Sequence, residues 1–171
     1  MSSNLIEGAK NYFLNNKSMW YKVAEMTTTS KKNQVFLGGT CGNNNWREDF
    51  INDLVSRGVS ADKLFNPVVS NWNDEAQRKE DLAKKESKYL LFYIANPKTE
   101  GNETSGYSLI ELTMGLYDQP ETTVGVLDTS ELSPPVAKAL TKGFNDLKKR
   151  FPEAKIFNTK EEAKDFFAEI L

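Results

Sequence analysis

Glu111 is the carboxylate most out of place in this chain. It stands in the run Ser105-Gly106-Tyr107-Ser108-Leu109-Ile110-Glu111-Leu112, where a glycine turn opens a helix and apolar residues flank the acid. A carboxylate in that setting needs a partner or a task, unless it occupies an ordinary exposed helix face. The sequence contains no His, which narrows the available chemistry. Ser-His-Asp and Cys-His mechanisms and HExxH metal sites are excluded for its own side chains, leaving Asp, Glu, Tyr, Lys and Cys41. Cys41 sits where a helix start would stabilise a thiolate, but no His base accompanies it. One Cys and no His do not make a clustered zinc site, and neither metal nor cofactor is expected.

A second stretch, Val35 to Asp49, carries the other candidates. Gly38-Gly39-Thr40-Cys41-Gly42 has neither the GxGxxG spacing of a dinucleotide site nor the GxxxxGK[ST] of a P-loop. Without a Cβ, Gly39 would let a ligand approach the backbone, and free N–H groups at a helix start favour an anion or a sugar hydroxyl. A tight strand-to-helix turn without a ligand accounts for the same residues. Arg47 falls in the first helical turn, where the helix dipole disfavours a cation. It can pair with Glu48, with an acid across a crevice or with a ligand phosphate, or form a surface ion pair. Trp46 fits the apolar stripe of Phe50, Ile51, Leu54 and Val55 better than it fits a wall for a planar base. Trp72 lies on a loop and suits such a wall.

The elements that must position these residues alternate along the chain. Short apolar runs at Gln34–Leu37, Lys63–Asn66, Tyr89–Ala95, Thr123–Leu127 and Ile156–Phe157 read as buried strands. Helix-sized spacers separate them. The first is capped at Asn45 and ends at Gly58, and the second, Asp74 to Ser87, is heavily charged and expected to lie mostly exposed. The third runs from Gly106 to Tyr117, and the fourth begins at Ser133-Pro134-Pro135. The last is started by a Thr159–Glu162 capping box. This order predicts an α/β fold, a flavodoxin-like doubly wound five-stranded parallel sheet with strand order 2-1-3-4-5. Its switch point lies between the first and third strands, which end in the two stretches above, and ligands of such sheets bind there. Residues 34–171 form this domain. Residues 1–33 read as a helical appendage and linker whose Tyr12, Phe13 and Trp20 suggest packing on the domain or on a second copy.

Composition bounds the partners. Lys and Arg number 22 and Asp and Glu 24, for a net charge of −2, with no basic run to neutralise several phosphates. Nucleic acid is therefore not an expected partner. No apolar stretch approaches the roughly 18 residues that span a membrane, and no signal-peptide pattern opens the chain, so a cytoplasmic setting is expected. The aromatic-bearing appendage hints at a homo-oligomer.

Taken in order, VFLGGTC, NNNWRED, FNPVVSNW, a charged helix, YLLFYIANP and SGYSLIEL resemble the nucleoside 2-deoxyribosyltransferase-like proteins. More distantly, they resemble the deoxynucleoside monophosphate N-glycosidases. The resemblance covers Gln34 to Tyr117. It implies a flavodoxin-like fold in which a helix-borne Glu attacks C1′ of deoxyribose. Glu111 takes that role, forming a glycosyl ester that is released to a second base or to water. Gly39 and Thr40 match the loop facing the sugar, Arg47 the start of the first helix, and Asn66 and Ser108 polar positions bordering the sugar. Trp46, Trp72, Ser105 and Gly106 complete the expected substrate contacts. The typical transferases carry an Asp about a turn before the Glu, where this chain has Ser105, and an acid before the third strand, where it has Ser87-Lys88. The proton for the departing base then falls to Tyr107 or Asp74. The implied substrate is a small-molecule nucleoside or nucleotide. Cleavage of the nicotinamide–ribose bond of NAD, or nucleotide binding without catalysis, are the alternative functions.

Overall fold

The computed structural model describes residues 34–171, so the appendage expected over residues 1–33 lies outside the described residues. Five strands form one parallel sheet: β1 (Val35–Gly39), β2 (Leu64–Phe65), β3 (Tyr89–Ile94), β4 (Thr123–Leu127) and β5 (Lys155–Phe157), in the order β2-β1-β3-β4-β5. Among the described residues five α-helices alternate with them: α1 (Trp46–Ser56), α2 (Asp74–Glu86), α3 (Gly106–Asp118), α4 (Pro134–Arg150) and α5 (Lys160–Ile170). The flavodoxin-like order expected from the strand and helix pattern is the order found.

The strands alternate their side chains between two apolar layers, as a sheet covered on both faces requires. Val35, Leu37, Leu91, Tyr93 and Val124 pack with Trp46, Phe50 and Leu54 of α1 and Phe167 of α5. Phe36, Leu90, Phe92 and Ile94 pack on the opposite face with Ala83 of α2, Leu112 and Leu116 of α3 and Phe144 of α4. No helix among the described residues is long and apolar enough to cross a membrane.

Two glycines bring elements unusually close. The first strand extends beyond the expected Leu37 because Gly38 and Gly39 continue the ladder opposite Phe92 and Tyr93. Gly39 has φ +116°, and a Cβ there would stand 2.3 Å from the Tyr93 carbonyl oxygen. The chain therefore requires glycine here for backbone contact between strands. On α3, a Cβ at Gly115 would meet the Thr123 side chain at 3.1 Å, so the helix lies directly on β4. That seating turns Ser108, Glu111, Leu112, Gly115 and Leu116, spaced three and four apart, toward the sheet.

Helix starts follow the sequence in part. The Thr159–Glu162 capping box is formed. Asn45 precedes α1 as expected but makes no side-chain cap; Asn44 Oδ1 instead accepts from the Trp46 N–H at 3.2 Å. Asn73 caps α2 by accepting from the N–H groups of Glu75 and Ala76.

Candidate active site

A pocket of about 500 Å³ opens at the carboxyl end of β1, beside the point where strand order reverses. Its size is typical of small-molecule sites. The floor is Phe36, Gly38 and Gly39. Gln77, Glu80, Asp81 and Lys84 of α2 form one wall, and Ser105, Tyr107, Ser108 and Glu111 the other. Pro67, Val68, Val69 and Trp72 of the β2–α2 loop make an apolar rim. The two valines and Trp72 are about half exposed, which leaves apolar surface with nothing packed on it.

The centre of the pocket is an ion triad. Lys84 Nζ pairs with Glu80 Oε1 at 2.7 Å, four residues back on the same helix, and with Glu111 Oε1 across the cleft. All three side chains are largely covered, at 22% exposed for Lys84, 15% for Glu80 and 13% for Glu111. The ammonium also lies 5.5 Å from the centre of the Phe36 ring. Burial opposes the charged form of Lys84, but the hydrogen bonds and charges of Glu111 and Glu80 outweigh it and raise its pKa above the ordinary lysine value. Lys84 therefore remains a cation. Glu111 Oε2 has no hydrogen-bond or ion-pair partner among the described residues, so one oxygen is anchored and the other is open to the pocket.

The β1–α1 turn behaves differently. Arg47 is only 4% exposed. Its Nε donates to the Leu37 carbonyl at 2.8 Å, Nη2 to Gly39 at 2.9 Å and Nη1 to Thr40 at 3.0 Å. Trp46 Nε1 donates to the same Thr40 carbonyl at 2.9 Å, and the guanidinium carbon stands 4.6 Å from the Trp46 ring centre. Burial lowers the pKa of Arg47, while Cys41, Glu80 and Glu111 nearby act in the opposite direction. Thr40 is fully buried; its hydroxyl donates to the Ala95 carbonyl and accepts from the Ala95 N–H. These groups tie the end of β1 to β3 and α1.

Of the residues expected to meet substrate, the pocket gathers Gly39, Arg47, Trp72, Ser105, Tyr107, Ser108 and Glu111. Ser105 and Ser108 share a hydrogen bond of 2.7 Å, and Tyr107 is 70% exposed on the rim. Thr40, Trp46, Asn66 and Gly106 are not among the lining residues. Trp46 belongs to the core, in edge contact with Phe50, and Asn66 Oδ1 accepts from the Val68 N–H to shape the loop. The surface ion pair considered for Arg47 is not formed, because burial leaves its nitrogens facing carbonyls rather than carboxylates. Asp74 is exposed at the first position of α2.

The expectation that α2 lies mostly exposed holds, with one narrow covered stripe on its inner face. Ala76, Glu80, Ala83, Lys84 and Ser87 recur at helical spacing and turn toward the domain. The signal was present: two alanines interleaved with a Glu–Lys pair four apart mark a covered stripe even where overall charge is high.

A protein-family model described as "Nucleoside 2-deoxyribosyltransferase like" matches residues 32–129, more than half of the chain. The match runs from β1 through β4 and includes both pocket walls. Comparison with curated proteins and with solved structures finds no match.

Proposed function

Because the chain belongs to the nucleoside 2-deoxyribosyltransferase-like family, we propose that it cleaves or exchanges the N-glycosidic bond of a 2′-deoxynucleoside or its monophosphate, with Glu111 as nucleophile. Membership supports glycosyl-transfer or N-glycosidase chemistry on a nucleoside or nucleotide in general. The observation that carries the finer reading is the Glu111 carboxylate, largely covered, lining the pocket and held by one oxygen only.

The chemistry follows from that geometry. Glu111 Oε2 bonds to C1′ as the C1′–N bond breaks, and the electron pair leaves with the base. Negative charge beside C1′ stabilises the oxocarbenium-like centre before the carboxylate traps it, as in retaining glycosidases. Tyr107, on the rim, supplies a proton to the departing base. Water or a second base then attacks C1′ and frees the carboxylate. The base lies against the apolar rim of Pro67, Val68, Val69 and Trp72. The exposed, unpaired Cys41 thiol fits a reducing cytoplasmic setting.

Glu111→Gln should lower base release, followed by chromatography over a panel of deoxynucleosides and monophosphates, by at least about a thousandfold. Circular dichroism should be unchanged, and Tyr107→Phe should show a smaller loss in the same assay. Undiminished turnover in Glu111→Gln would sink the assignment.

Copies of the chain associate through α3 in this reading. Tyr107, Ile110, Met114 and Tyr117 are each more than half exposed at helical spacing and form an apolar stripe suited to self-complementary contact. Light scattering on the full chain should give a mass above the monomer, falling toward it in Ile110→Glu/Met114→Glu. A monomeric parent chain would rule this out.

A further inference from the structure

The ion triad does more than hold a nucleophile. The inference rests on the assignment of Glu111 as the group that becomes a glycosyl ester. An ammonium fixed against Oε1 stabilises the carboxylate and has no such hold on the neutral ester, so it favours every step that returns Glu111 to its charged form. Forming the C1′–Oε2 bond removes that charge. Breaking it, with the pair returning to the carboxylate as water or an acceptor base bonds to C1′, restores the charge beside Lys84.

Glu80 matters at the point where Glu111 is neutral. Lys84 stands on a helix with Glu80 one turn before it, at 2.7 Å, so the ammonium keeps one counter-ion while the other is esterified. The Phe36 ring beneath it gives the cation a second seat. A lysine paired with Glu111 alone would lose its only partner in the intermediate and be free to swing toward solvent.

We infer that Lys84, retained by Glu80, is a positioning residue that leaves Glu111 Oε2 free to attack and speeds release of the sugar from the glycosyl ester. The prediction is selective. Removing the charge slows the second step more than the first, so the ester accumulates.

The test compares Lys84→Met, Lys84→Arg and Glu80→Gln with the parent chain in rapid-quench base release and intact-protein mass spectrometry, using the deoxynucleoside that the parent turns over. Lys84→Met should release about one equivalent of base in a burst, with the steady state slowed at least about tenfold. Its spectrum should show the added mass of one deoxyribosyl group. Glu80→Gln should do the same more weakly, and Lys84→Arg should recover most of the steady-state rate. If Lys84→Met fails to fold by circular dichroism, Lys84→Gln replaces it. A uniform loss with neither burst nor adduct overturns the role of Lys84 while leaving Glu111 as nucleophile. A parent chain that releases no base from any substrate removes the functional reading, and the Lys84 role with it.

Discussion

At the β1–α1 turn the strong donors end on the chain itself. Arg47 spends Nε, Nη1 and Nη2 on three backbone carbonyls, Trp46 spends its indole N–H on one of them, and Thr40 bonds both ways with Ala95. Across the same pocket, the α2–α3 cleft holds Glu80, Lys84 and Glu111 against one another, each carboxylate through one oxygen, so that Glu111 Oε2 is left over. Both regions contain partly or fully covered charge. In the turn the charge satisfies backbone carbonyls at the end of β1, helped at Thr40 by the Trp46 indole and at Gly39 by the Cys41 thiol. In the cleft it is held by other side chains, at a face that lines the pocket. A charged residue near a pocket is the stronger functional candidate in the second situation.

That contrast can be broken by exchanging the expected losses. Glu111→Gln should remove activity and leave stability nearly unchanged, the largest effect on catalysis in the molecule. Arg47→Ala should do the reverse. It strips donors from the carbonyls of Leu37, Gly39 and Thr40 and opens space beside Trp46. The expected cost is about 3–5 kcal/mol, or a fall of roughly 10 °C in Tm for a chain of this size. Thermal unfolding followed at 222 nm measures it. Base release per folded molecule, assayed well below the transition, should fall less than about tenfold. An unchanged Tm with activity abolished would move Arg47 into the ligand site and erase the distinction between the two regions.

The fold was legible because its signals are local and redundant. YLLFYIA is apolar on both alternating faces, and Thr159 with Glu162 marks a helix start wherever it occurs. The spacer lengths admit little but right-handed crossovers. The site was legible in outline, since the switch point of such a sheet lies where β1 and β3 end. What the sequence concealed was the partner of each charged group. Arg47 was suspicious for standing against its helix dipole, yet nothing local says that three carbonyls at the end of β1 surround it. Gly39 suggested room for a ligand and does floor the pocket, but the space a Cβ would need is taken by Tyr93 backbone, a contact between residues more than 50 positions apart. Lys84 was hidden in a helix whose charge density read as exposure, and only tertiary packing of α2 against α3 sets it beside Glu111.

The smallest expected effect concerns the rim. Trp72 is 59% exposed and packs into neither core cluster, so its truncation removes little buried area. Trp72→Ala should therefore change stability by less than about 0.5 kcal/mol, the usual range for a surface substitution. If the ring walls the base site, losing it forfeits a stacking contact of about 1–1.5 kcal/mol, which is roughly a tenfold rise in KM with kcat little altered. The split between KM and kcat is the informative quantity, because a wall that only stacks on the base contributes uniform binding, and its loss raises KM alone. A matched fall in kcat would instead mean that the rim positions the sugar over Glu111. A fall in Tm of several degrees would return Trp72 to the structural class that Arg47 and Trp46 already occupy.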